Sequence, residues 1–394
     1  MSSLILHVVG ARPNFMKAAP VIRALEEHDL AQFVVHTGQH YDRAMSEVFF
    51  VQLALPEPDV NLGVGSGTHA QQTAALMTGL EAEFIERRPS LVVVYGDVNS
   101  TLAAALVASK LHIPIAHVEA GLRSFDLTMP EEINRRVTDS LSALLFVTSP
   151  EGMAYLAREG VDPAAMHFVG NPMIDTLLNN LDRFDPQRIR DDLGIDDRYA
   201  VSTLHRPTNV DDPAAARDIV TALADVASAL PILIPLHPRG RESLHRAGLE
   251  DIPGVRVIAP LGYVEFLSVV RGASLVLTDS GGIQEETTVL GVPCLTIRPN
   301  TERPITITYG TNQLVGPGEV AKQAAAVLDG TTRFPTQRPP LWDGQAGPRI
   351  AKIIEEFFVR RSRSAACFAE PGSAKFSSPG PLGVERNETT RPYG

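Results

Sequence analysis

The chain has 394 residues, of which 44% are hydrophobic and 21% charged, so it is long enough for two globular domains. Its formal net charge of −11 argues against a nucleic acid or an anionic membrane surface as the main partner, while leaving room for a local basic pocket. The two cysteines, Cys294 in an apolar run and Cys367 in a polar tail, imply no disulfide framework and favour a reducing, cytoplasmic location.

The first predicted element is a buried strand at Leu4–Val9. This apolar run is too short to span a membrane, and Arg12 and Lys17 follow it closely without the cleavage site of a signal peptide. Further short apolar runs alternate with longer amphipathic stretches, the pattern of βα units that build a parallel sheet. The other strands predicted in this half are Phe33–His36, Leu91–Tyr95, Ile113–Val118 and Leu144–Val147, and the helices are Phe15–Glu27, Ala70–Glu86 and Thr101–Leu111.

The alternation pauses at Gly170, Asn171 and Pro172, where we place a hinge between an N-terminal domain of residues 1–169 and a C-terminal domain of residues 170–345. The second half then repeats the pattern, with strands predicted at Ala200–Leu204, Ile232–Leu236, Val255–Ile258, Ser274–Thr278 and Cys294–Ile297, and helices at Ala214–Ala229, Tyr263–Arg271, Ile283–Leu290 and Ile350–Val359. Residues 362–394, rich in Ser, Pro, Gly and charge, are predicted to be a disordered tail. The fold class is therefore α/β, with two open domains across a cleft.

Polar residues or glycines follow seven of the predicted strands. Ligands of open parallel sheets bind beyond the carboxyl ends of the strands, so these residues are expected to line the cleft. They are Gly10 and Arg12, Thr37 to His40, Gly96 and Asp97, Glu119, His205 and Arg206, His237 and Arg239, and Asp279 to Gly282. Such groups suit an anionic, hydroxylated ligand.

The segment from Asp279 to Glu286 has the most informative pattern, a strand that runs through Ser-Gly-Gly into a helix. The glycines let backbone N–H groups approach an anion, and the helix N-terminus adds its partial positive charge, which suits a diphosphate. Glu286, one turn further on, is placed to accept hydrogen bonds from ribose hydroxyls. An isolated Ser-Gly-Gly is equally compatible with a plain strand-to-helix turn, but the Gln-Glu-Glu that follows favours the nucleotide site.

Charged residues at other strand ends are candidates for the rest of the site. Arg12 and Lys17 lie in a second strand-to-helix turn and could bind phosphate, with two solvated cations as the alternative. Asp97 and Glu119 each follow a strongly apolar strand, and a carboxylate there indicates a ligand or a cation. Glu131 lies at a predicted helix start, where it could equally be a dipole partner.

His205 and Arg206, like His237, follow strands and face the predicted diphosphate site. No Gly-x-Gly-x-x-Gly follows a strand, and the sequence has neither a Gly-Lys-Ser/Thr phosphate loop nor a His-Glu-x-x-His motif. Neither a nicotinamide cofactor nor a metal is therefore expected.

Taken in order, these motifs resemble the non-hydrolysing UDP-N-acetylglucosamine 2-epimerases across residues 3 to 359. The stretches that carry the resemblance are Gly10 to Pro13, Thr37 to His40, Gly96-Asp97, His117 to Arg123, Pro130 to Arg135, Leu204 to Arg206, Thr278 to Glu286, and Thr301 to Pro304. The resemblance implies two Rossmann-like domains of the glycosyltransferase B type, a homodimer, and a last helix near residues 346–361 that packs back on the N-terminal domain.

The resemblance also implies residue roles. Those implied for catalysis are Asp97, Glu119, Glu131 and His205. Those implied for UDP-sugar binding are Arg12, Lys17, Gln39, His40, Arg135, Arg206, His237, Phe266, Ser280, Gly281, Gly282, Glu286 and Arg303. Of these, Gln39 and Arg206, together with Glu131, match positions that the family associates with activation by substrate.

Four positions depart from the family pattern. Ala11 stands where Thr is common, Asn14 where Glu is common, Pro207-Thr208 follow the His-Arg pair, and Ile305 stands where Glu is common. These changes leave the nucleotide site intact and bear on the exact sugar and on any allosteric site.

The implied reaction is the reversible conversion of UDP-N-acetylglucosamine to UDP-N-acetylmannosamine without a cofactor. No carbonyl adjacent to C2 acidifies its hydrogen, so the implied route is elimination of UDP to a 2-acetamidoglucal and re-addition. We expect Asp97 and Glu131 to transfer protons and Glu119 to position or supply charge. His205, with Arg12 and Lys17, would stabilise departing UDP. Alternatives are a hydrolysing 2-epimerase, a 2-epimerase of a modified UDP-N-acetylhexosamine, a glycosyltransferase, and a catalytically inactive UDP-sugar sensor.

Overall fold

A computed structural model describes residues 3–38, 52–53, 55–236, 238–335 and 337–369. The described strands are β1 (Leu4–Val9), β2 (Ala31–His36), β3 (Val60–Asn61), β4 (Leu91–Tyr95), β5 (Ile115–Ala120), β6 (Leu144–Val147), β7 (Met166–Phe168), β8 (Ala200–Thr203), β9 (Ile232–Pro235), β10 (Val255–Ile258), β11 (Leu275–Thr278), β12 (Cys294–Ile297) and β13 (Asn312–Val315). The helices whose bounds are described are α1 (Arg12–Glu26), α2 (His69–Arg87), α3 (Asn99–Lys110), α4 (Pro130–Leu141), α5 (Pro150–Arg158), α6 (Pro172–Asn179), α7 (Pro186–Leu193), α8 (Pro207–Val210), α9 (Pro213–Ala227), α10 (Pro238–Arg246), α11 (Tyr263–Gly272), α12 (Gly281–Leu290), α13 (Ile305–Thr308), α14 (Val320–Leu328) and α15 (Ala346–Ala369).

The first sheet joins its described strands in the order β3-β2-β1-β4-β5-β6-β7, and every pair is parallel. The chain builds outward from β1 to one edge, crosses back to β4 and builds to the other edge. This doubly wound order has its switch point between β1 and β4, where Val8 pairs with Val94. The turns that follow these two strands, which carry Gly10 and Asp97, therefore start side by side.

The second sheet repeats the arrangement with the order β10-β9-β8-β11-β12-β13, again parallel throughout the described strands. Its switch point lies between β8 and β11, where Thr203 pairs with Thr278. His205 and Ser280 follow these strands and so lie beyond the same edge of the sheet.

Helices cover both sheets because the central strands are apolar on both faces. All five residues of β4 are fully buried, and Leu80 and Phe84 of α2 pack with Val92 in one core. In the second half, Leu223 of α9 packs with Leu277 of β11. Burying a side chain of this size stabilises the fold by roughly 1.5–3 kcal/mol. The two cores hold the strand ends, and with them the site, in fixed positions.

The strands that were predicted from apolar runs are all present, each within two residues of its predicted ends. The sequence reasoning missed β3, β7 and β13, which are edge strands of two to four residues and mostly half-buried. A short, partly exposed edge strand has no long apolar run to reveal it. In the described part of the chain, every helix is too short or too polar to cross a membrane.

Two chain segments between the sheets pack together near Gly170. This residue has φ of +88°, and a side chain there would collide with the carbonyl oxygen of Leu341, so only glycine fits. The neighbouring Trp342 is almost fully buried, packs against Ile305, and donates from Nε1 to the carbonyl oxygen of Thr148 at 3.0 Å. The predicted hinge at Gly170 and the second connecting segment at Leu341 and Trp342 are therefore tightly packed against each other.

The chain groups into one compact unit up to Ile353 and a second from Ile354. Helix α15 begins in the first unit, where Asp175 accepts a hydrogen bond from the backbone N–H of Gly347 at 2.7 Å and Gly347 lies against the carbonyl oxygen of Pro20 in α1. The predicted domain boundary between residues 169 and 170 stays a prediction. A disordered tail from residue 362 is wrong for 362–369, because α15 continues there; its Ser, Arg and Ala residues sustain a helix, and the next proline is Pro371.

Candidate active site

One ion pair connects the acidic residues of the first half with the predicted diphosphate site of the second. Arg303, which follows β12, lies with its Nη2 3.0 Å from Glu119 Oε1 in β5. Both side chains are almost completely buried. The strand ends of the two sheets therefore contribute to a single site.

Glu119 lies inside β5, not after it as predicted. The pairing of β5 with β6 shifts register between Val118 and Ala120, and Glu119 has φ of +76°. This bulge turns the side chain out of the strand alternation, at a backbone cost of about 1–3 kcal/mol that its surroundings must offset. Lys17 Nζ donates to Glu119 Oε2, which completes a buried chain from Lys17 through Glu119 to Arg303.

Asp97 follows β4 and forms an ion pair with Arg135 of α4. Asn134 fixes the backbone beside it by donating to the Asp97 carbonyl oxygen at 2.8 Å. Burial favours the neutral acid, but the positive charges of Arg135, Lys17 and Arg303 outweigh burial and hold the pKa of Asp97 below its ordinary value. Asp97 is therefore a carboxylate at neutral pH.

The turn between β1 and α1 is held by Asn14. Its Oδ1 accepts from the backbone N–H groups of Gly10 at 3.1 Å and Ala11 at 2.9 Å, and its Nδ2 donates to the Tyr95 carbonyl oxygen at 2.8 Å. A glutamate carboxylate cannot donate the last of these bonds, so an amide suits this position. One turn further along α1, the buried Lys17 reaches Glu119.

Glu131 and Glu132 share the first turn of α4 but have opposite surroundings. Glu131 is half-buried and makes no hydrogen bond or ion pair with another residue that the structure describes. Glu132 is fully buried and accepts from Ser124 N at 2.9 Å, Phe125 N at 3.2 Å and Arg135 Nη1 at 2.5 Å. Glu132 thus holds the preceding loop and orients Arg135, a role that the sequence reasoning missed.

Three carboxylates surround the guanidinium of Arg303. Besides Glu119, it pairs with Glu302, and its Nε lies 3.0 Å from Glu285 Oε1. Burial opposes its charge, but Glu285, Glu302 and Glu119 hold the pKa of Arg303 above its ordinary value. Glu302 also binds Arg298, at 2.8 Å. Neither Glu285 nor Glu302 was among the predicted site residues, although both lie inside the motifs that identified their neighbours.

The N-terminus of α12 lies against this cluster. Ser280 precedes the helix and makes no capping hydrogen bond with its side chain, so that side chain does not satisfy the first backbone N–H groups of the helix. A side chain at Gly281 would collide with the Arg303 guanidinium, and one at Gly282 would lie 3.0 Å from Met173 Cε. The Ser-Gly-Gly turn therefore brings the backbone against the arginine, as an anion site requires.

Two adjacent glutamates of α12 are buried. Arg303 offsets part of the cost of burying a charge at Glu285, and no cation among the described residues does so at Glu286. Burial, with the charge of Glu285, raises the pKa of Glu286 to about 8. Burial also raises the pKa of Glu285 to about 7, although Arg303 opposes this shift. At neutral pH, Glu286 is mostly a neutral acid, able to donate as well as accept a hydrogen bond.

Asp279 holds His205 and Arg206 at the end of β8. Its carboxylate accepts from the backbone N–H groups of His205 at 3.1 Å and Arg206 at 2.9 Å, and lies 3.0 Å from His205 Nδ1. Burial acts to raise the pKa of Asp279, but the hydrogen bond and charge of His205 outweigh it, so the pKa lies below its ordinary value. The His205 side chain remains 48% exposed, open to a ligand.

Some predicted binding residues are not placed in this cluster. Phe266 is half-buried on α11, and no polar contact involves its side chain in the described structure. Gln39, His40 and His237 lie outside the described residues, as does the side chain of Arg12. No three His, Cys, Asp or Glu side chains come together as a metal site within the part of the chain that the structure describes.

Two parallel-sheet α/β domains of the glycosyltransferase B type, one with a Ser-Gly-Gly turn at a helix N-terminus and the other with a group of buried acids, are the architecture of nucleotide-sugar enzymes. The chain belongs to the UDP-N-acetylglucosamine 2-epimerase family, whose sequence model matches residues 23–355. The family expected from the sequence is thus confirmed.

Two relatives are similar to the same extent but differ in substrate. The chain is 42% identical to the UDP-N-acetylglucosamine 2-epimerase of Methanocaldococcus jannaschii, over 88% of this chain and 97% of that protein. It is 43% identical to the UDP-2,3-diacetamido-2,3-dideoxy-D-glucuronate 2-epimerase of Pseudomonas aeruginosa, over 89% of this chain and 99% of that protein. Identity by itself therefore does not distinguish the two sugars.

Solved structures give the same fold. The M. jannaschii enzyme in complex with UDP-GlcNAc and UDP superimposes with a TM-score of 0.84 at 40% identity, covering 90% of this chain and 99% of that one. A second structure of the M. jannaschii enzyme, with the same identity and coverage, gives 0.71.

Proposed function

We propose that this protein interconverts UDP-N-acetylglucosamine and UDP-N-acetylmannosamine by inverting C2, without hydrolysis. The observation that supports this most directly is the 3.0 Å contact between Arg303, beside the Ser-Gly-Gly turn, and Glu119 of the other sheet. A diphosphate on the turn would present its hexose to the acids of the first half.

The reaction proceeds by elimination and re-addition. The C1–O bond breaks and UDP leaves with the electron pair, a carboxylate removes the C2 proton, and a C1–C2 double bond forms. A proton then adds to C2 from the other face, and UDP returns to C1. Both steps depend on holding UDP while it is detached, which the turn, Arg303 and His205 would do by stabilising its negative charge.

The surroundings of the acids support distinct roles for them. Asp97, an ionised carboxylate beside Arg135, suits removal of a proton. Glu131, which is half-buried and without a described partner, is open to exchange a proton on the other face. Glu119 is bound by Lys17 and Arg303, so it supplies charge and positioning.

The binding of UDP must rearrange Arg303. Its guanidinium already faces three carboxylates, and a diphosphate adds negative charge to the same place. Arg12, His237, Phe266 and Glu286 complete the proposed nucleotide site, and Arg206, Gln39 and His40 are the further residues that the resemblance implies for UDP-sugar binding.

Incubation with UDP-N-acetylglucosamine in D2O, followed by NMR, tests the function. We expect UDP-N-acetylmannosamine to appear with deuterium at C2 of both sugars and no free UDP to accumulate. Free N-acetylmannosamine with one equivalent of UDP would contradict the proposal in favour of hydrolysis. Tight UDP binding without C2 exchange would indicate a sensor, and transfer to an added acceptor a glycosyltransferase.

A second candidate substrate is UDP-2,3-diacetamido-2,3-dideoxy-D-glucuronate, because a relative that carries its name is 43% identical. Ile305, which replaces the common Glu of the family motif, marks a difference close to Arg303. Comparing kcat/KM for both UDP-sugars decides between them. If kcat/KM is higher for the diacetamido uronate, that sugar is the substrate in place of UDP-N-acetylglucosamine.

We further propose a cytoplasmic homodimer. The homodimer is proposed from the family resemblance. The cytoplasmic location is proposed from the scarcity of cysteine, of which Cys294 is a buried free thiol. The proposed domains are residues 1–169 and 170–345, with α15 returning to the first. The position of Gly347 beside Pro20 supports that return. Light scattering at two protein concentrations would measure the oligomeric state.

A further inference from the structure

A fully buried histidine, His117 of β5, contacts the turn that carries Asp97. We propose that His117 and Asp139 form a positioning pair that fixes the two turns bearing the catalytic carboxylates. The kinetic part of this inference rests on the proposed epimerase function, whereas its geometric part is independent of the substrate.

The pair bridges both turns through short hydrogen bonds. His117 Nε2 donates to the Gly96 carbonyl oxygen at 2.7 Å, and its Nδ1 lies 2.7 Å from Asp139 Oδ1 on α4. The other oxygen of Asp139 accepts from the backbone N–H of Gly121 at 3.2 Å. Gly96 immediately precedes Asp97, and Gly121 lies two residues beyond Glu119. A single pair thus connects both positions.

These turns depend on outside support. Gly96 and Gly121 have φ of +64° and +81°. Glu119, at the bulge in β5, has φ of +76°. A side chain at Gly121 would lie 2.7 Å from the carbonyl oxygen of Gly152, so the turn cannot carry an anchoring side chain of its own. Hydrogen bonds from a buried neighbour are the available way to hold such a backbone.

The acceptors around the ring determine how it is held. The Gly96 carbonyl has no hydrogen to give, so Nε2 must carry one and donate it. Nδ1 lies against the Asp139 carboxylate on the opposite side, so the ring is fixed between α4 and the turn that carries Asp97.

Arg123 holds Asp139 in place from the other side. Its Nη1 lies 2.7 Å from Asp139 Oδ2, and its Nη2 lies 2.6 Å from Glu159. With Asp139 held in this way, the bond from His117 Nε2 to the Gly96 carbonyl oxygen fixes the peptide plane that precedes Asp97. Because His117 touches neither reacting side chain, its role is positioning.

The first test replaces His117 with glutamine. His117→Gln retains one N–H donor but loses the second bond, so kcat for C2 exchange should fall about a hundredfold, as a small displacement of a reacting group can cause. UDP affinity by calorimetry should stay within about twofold, because the described bonds of His117 reach neither Arg303 nor the Ser-Gly-Gly turn. An equal loss of UDP affinity would contradict a positioning role.

His7 of β1 provides the matched control. It is also fully buried in the first sheet, where its ring bonds Tyr95 Oη at 2.8 Å and Gln32 Oε1 at 2.9 Å, so neither of its described ring bonds reaches the backbone of Gly96 or Gly121. His7→Gln should lower thermal stability and leave kcat unchanged. If the two variants lowered kcat equally, the effect would be general to buried histidines and the proposal would fail.

Nitrogen NMR tests the ring without using activity. In enzyme labelled with ¹⁵N-histidine, the resonances missing from His117→Gln should include an Nε2 that carries a hydrogen, and Asp139→Asn should shift the Nδ1 resonance of the same ring. An Nε2 without a hydrogen in the wild-type protein would overturn the proposal. If wild-type enzyme exchanges no C2 hydrogen, the proposed function fails, while the ring measurement still decides the pair.

Discussion

Two buried acids of the active site, Asp97 in the first half and Glu286 in the second, have pKa shifts of opposite sign. In the first half, the charges of Arg135 and Lys17 outweigh burial and keep the pKa of Asp97 low. In the second half, Glu286 has no such cation, and burial, with Glu285, raises its pKa to about 8. Burial is common to both acids, so the neighbouring charges decide the sign of the shift.

This difference matches the parts that the two halves would play. A carboxylate that is always ionised can accept a proton from the sugar or stabilise a positive carbon. A neutral acid on α12 can bind a ribose hydroxyl without repelling the nearby diphosphate. The comparison therefore predicts that substitutions in the first half affect turnover and those in the second affect nucleotide binding.

The largest effect is expected from Asp97→Asn. Asparagine keeps the size but removes the proton acceptor, so kcat should fall about a thousandfold, within the usual range for a general acid–base group. UDP affinity should change little, because the turn that binds UDP lies on the other half. C2 exchange and calorimetry measure the two. Asp329→Asn, at an exposed carboxylate hydrogen-bonded to Thr331, is the control. An equal loss of UDP binding would break the comparison.

Arg303→Gln should destabilise the protein as a whole. It leaves Glu119, Glu285 and Glu302 without their shared guanidinium, and removing one partner of a buried ion pair costs about 3–5 kcal/mol. Denaturant unfolding measures the loss. Arg188→Gln, which breaks an exposed pair with Asp192, should change stability little. Equal effects of the two substitutions would mean that Arg303 does not hold the halves together.

Glu286→Gln should alter how stability depends on pH. The native protein keeps the Glu286 proton up to about pH 8, whereas the unfolded chain releases it near pH 4.5, so the stability that this group contributes is complete at low pH and is lost as pH rises through that window. Relative to wild type, the variant should gain about 5 kcal/mol across that window.

Asp97→Asn should give the opposite trend in the same experiment. The pKa of Asp97 is lowered, so its contribution is present above its ordinary value of 3.8 and lost as pH falls below it. Urea unfolding at several pH values compares both variants with wild type. Parallel curves for wild type and Glu286→Gln would contradict a raised pKa at Glu286.

The smallest effect is expected from Gly281→Ala. The new methyl group would meet the Arg303 guanidinium, a flexible group that can move, so UDP affinity should fall about tenfold while kcat changes less. Gly318→Ala is the matched control, because a Cβ there meets nothing within 4 Å. If both variants bound UDP as wild type does, the turn would not be the diphosphate site.

The sequence predicts the fold well where periodicity carries the information. Central strands such as β4 are unbroken apolar runs, and their polar ends mark the site directly. Because each strand end is a fixed point in a parallel sheet, Asp97, His205 and Ser280 could be assigned to the carboxyl ends of the strands of their two sheets before any contact was known. The resemblance added the identity of the nucleotide.

Other features depend on tertiary contacts that local pattern does not encode. The bulge at Glu119 appears only in the pairing of β5 with β6. Glu131 and Glu132 are identical residues in consecutive positions, so only their burial separates a candidate acid from a structural one. Nothing in the strand sequence around His117 sets it apart from an ordinary strand residue. Its partner Asp139 lies 22 positions further along the chain.

Trp342 gives this protein an optical reporter without labelling. It is the single tryptophan of the chain, and it lies where the two connecting segments pack, with its indole bound to Thr148 and packed against Ile305. Its emission therefore arises from one known place. A shift in that emission on adding UDP would record the opening or closing of the cleft in real time, separately from the chemistry at C2.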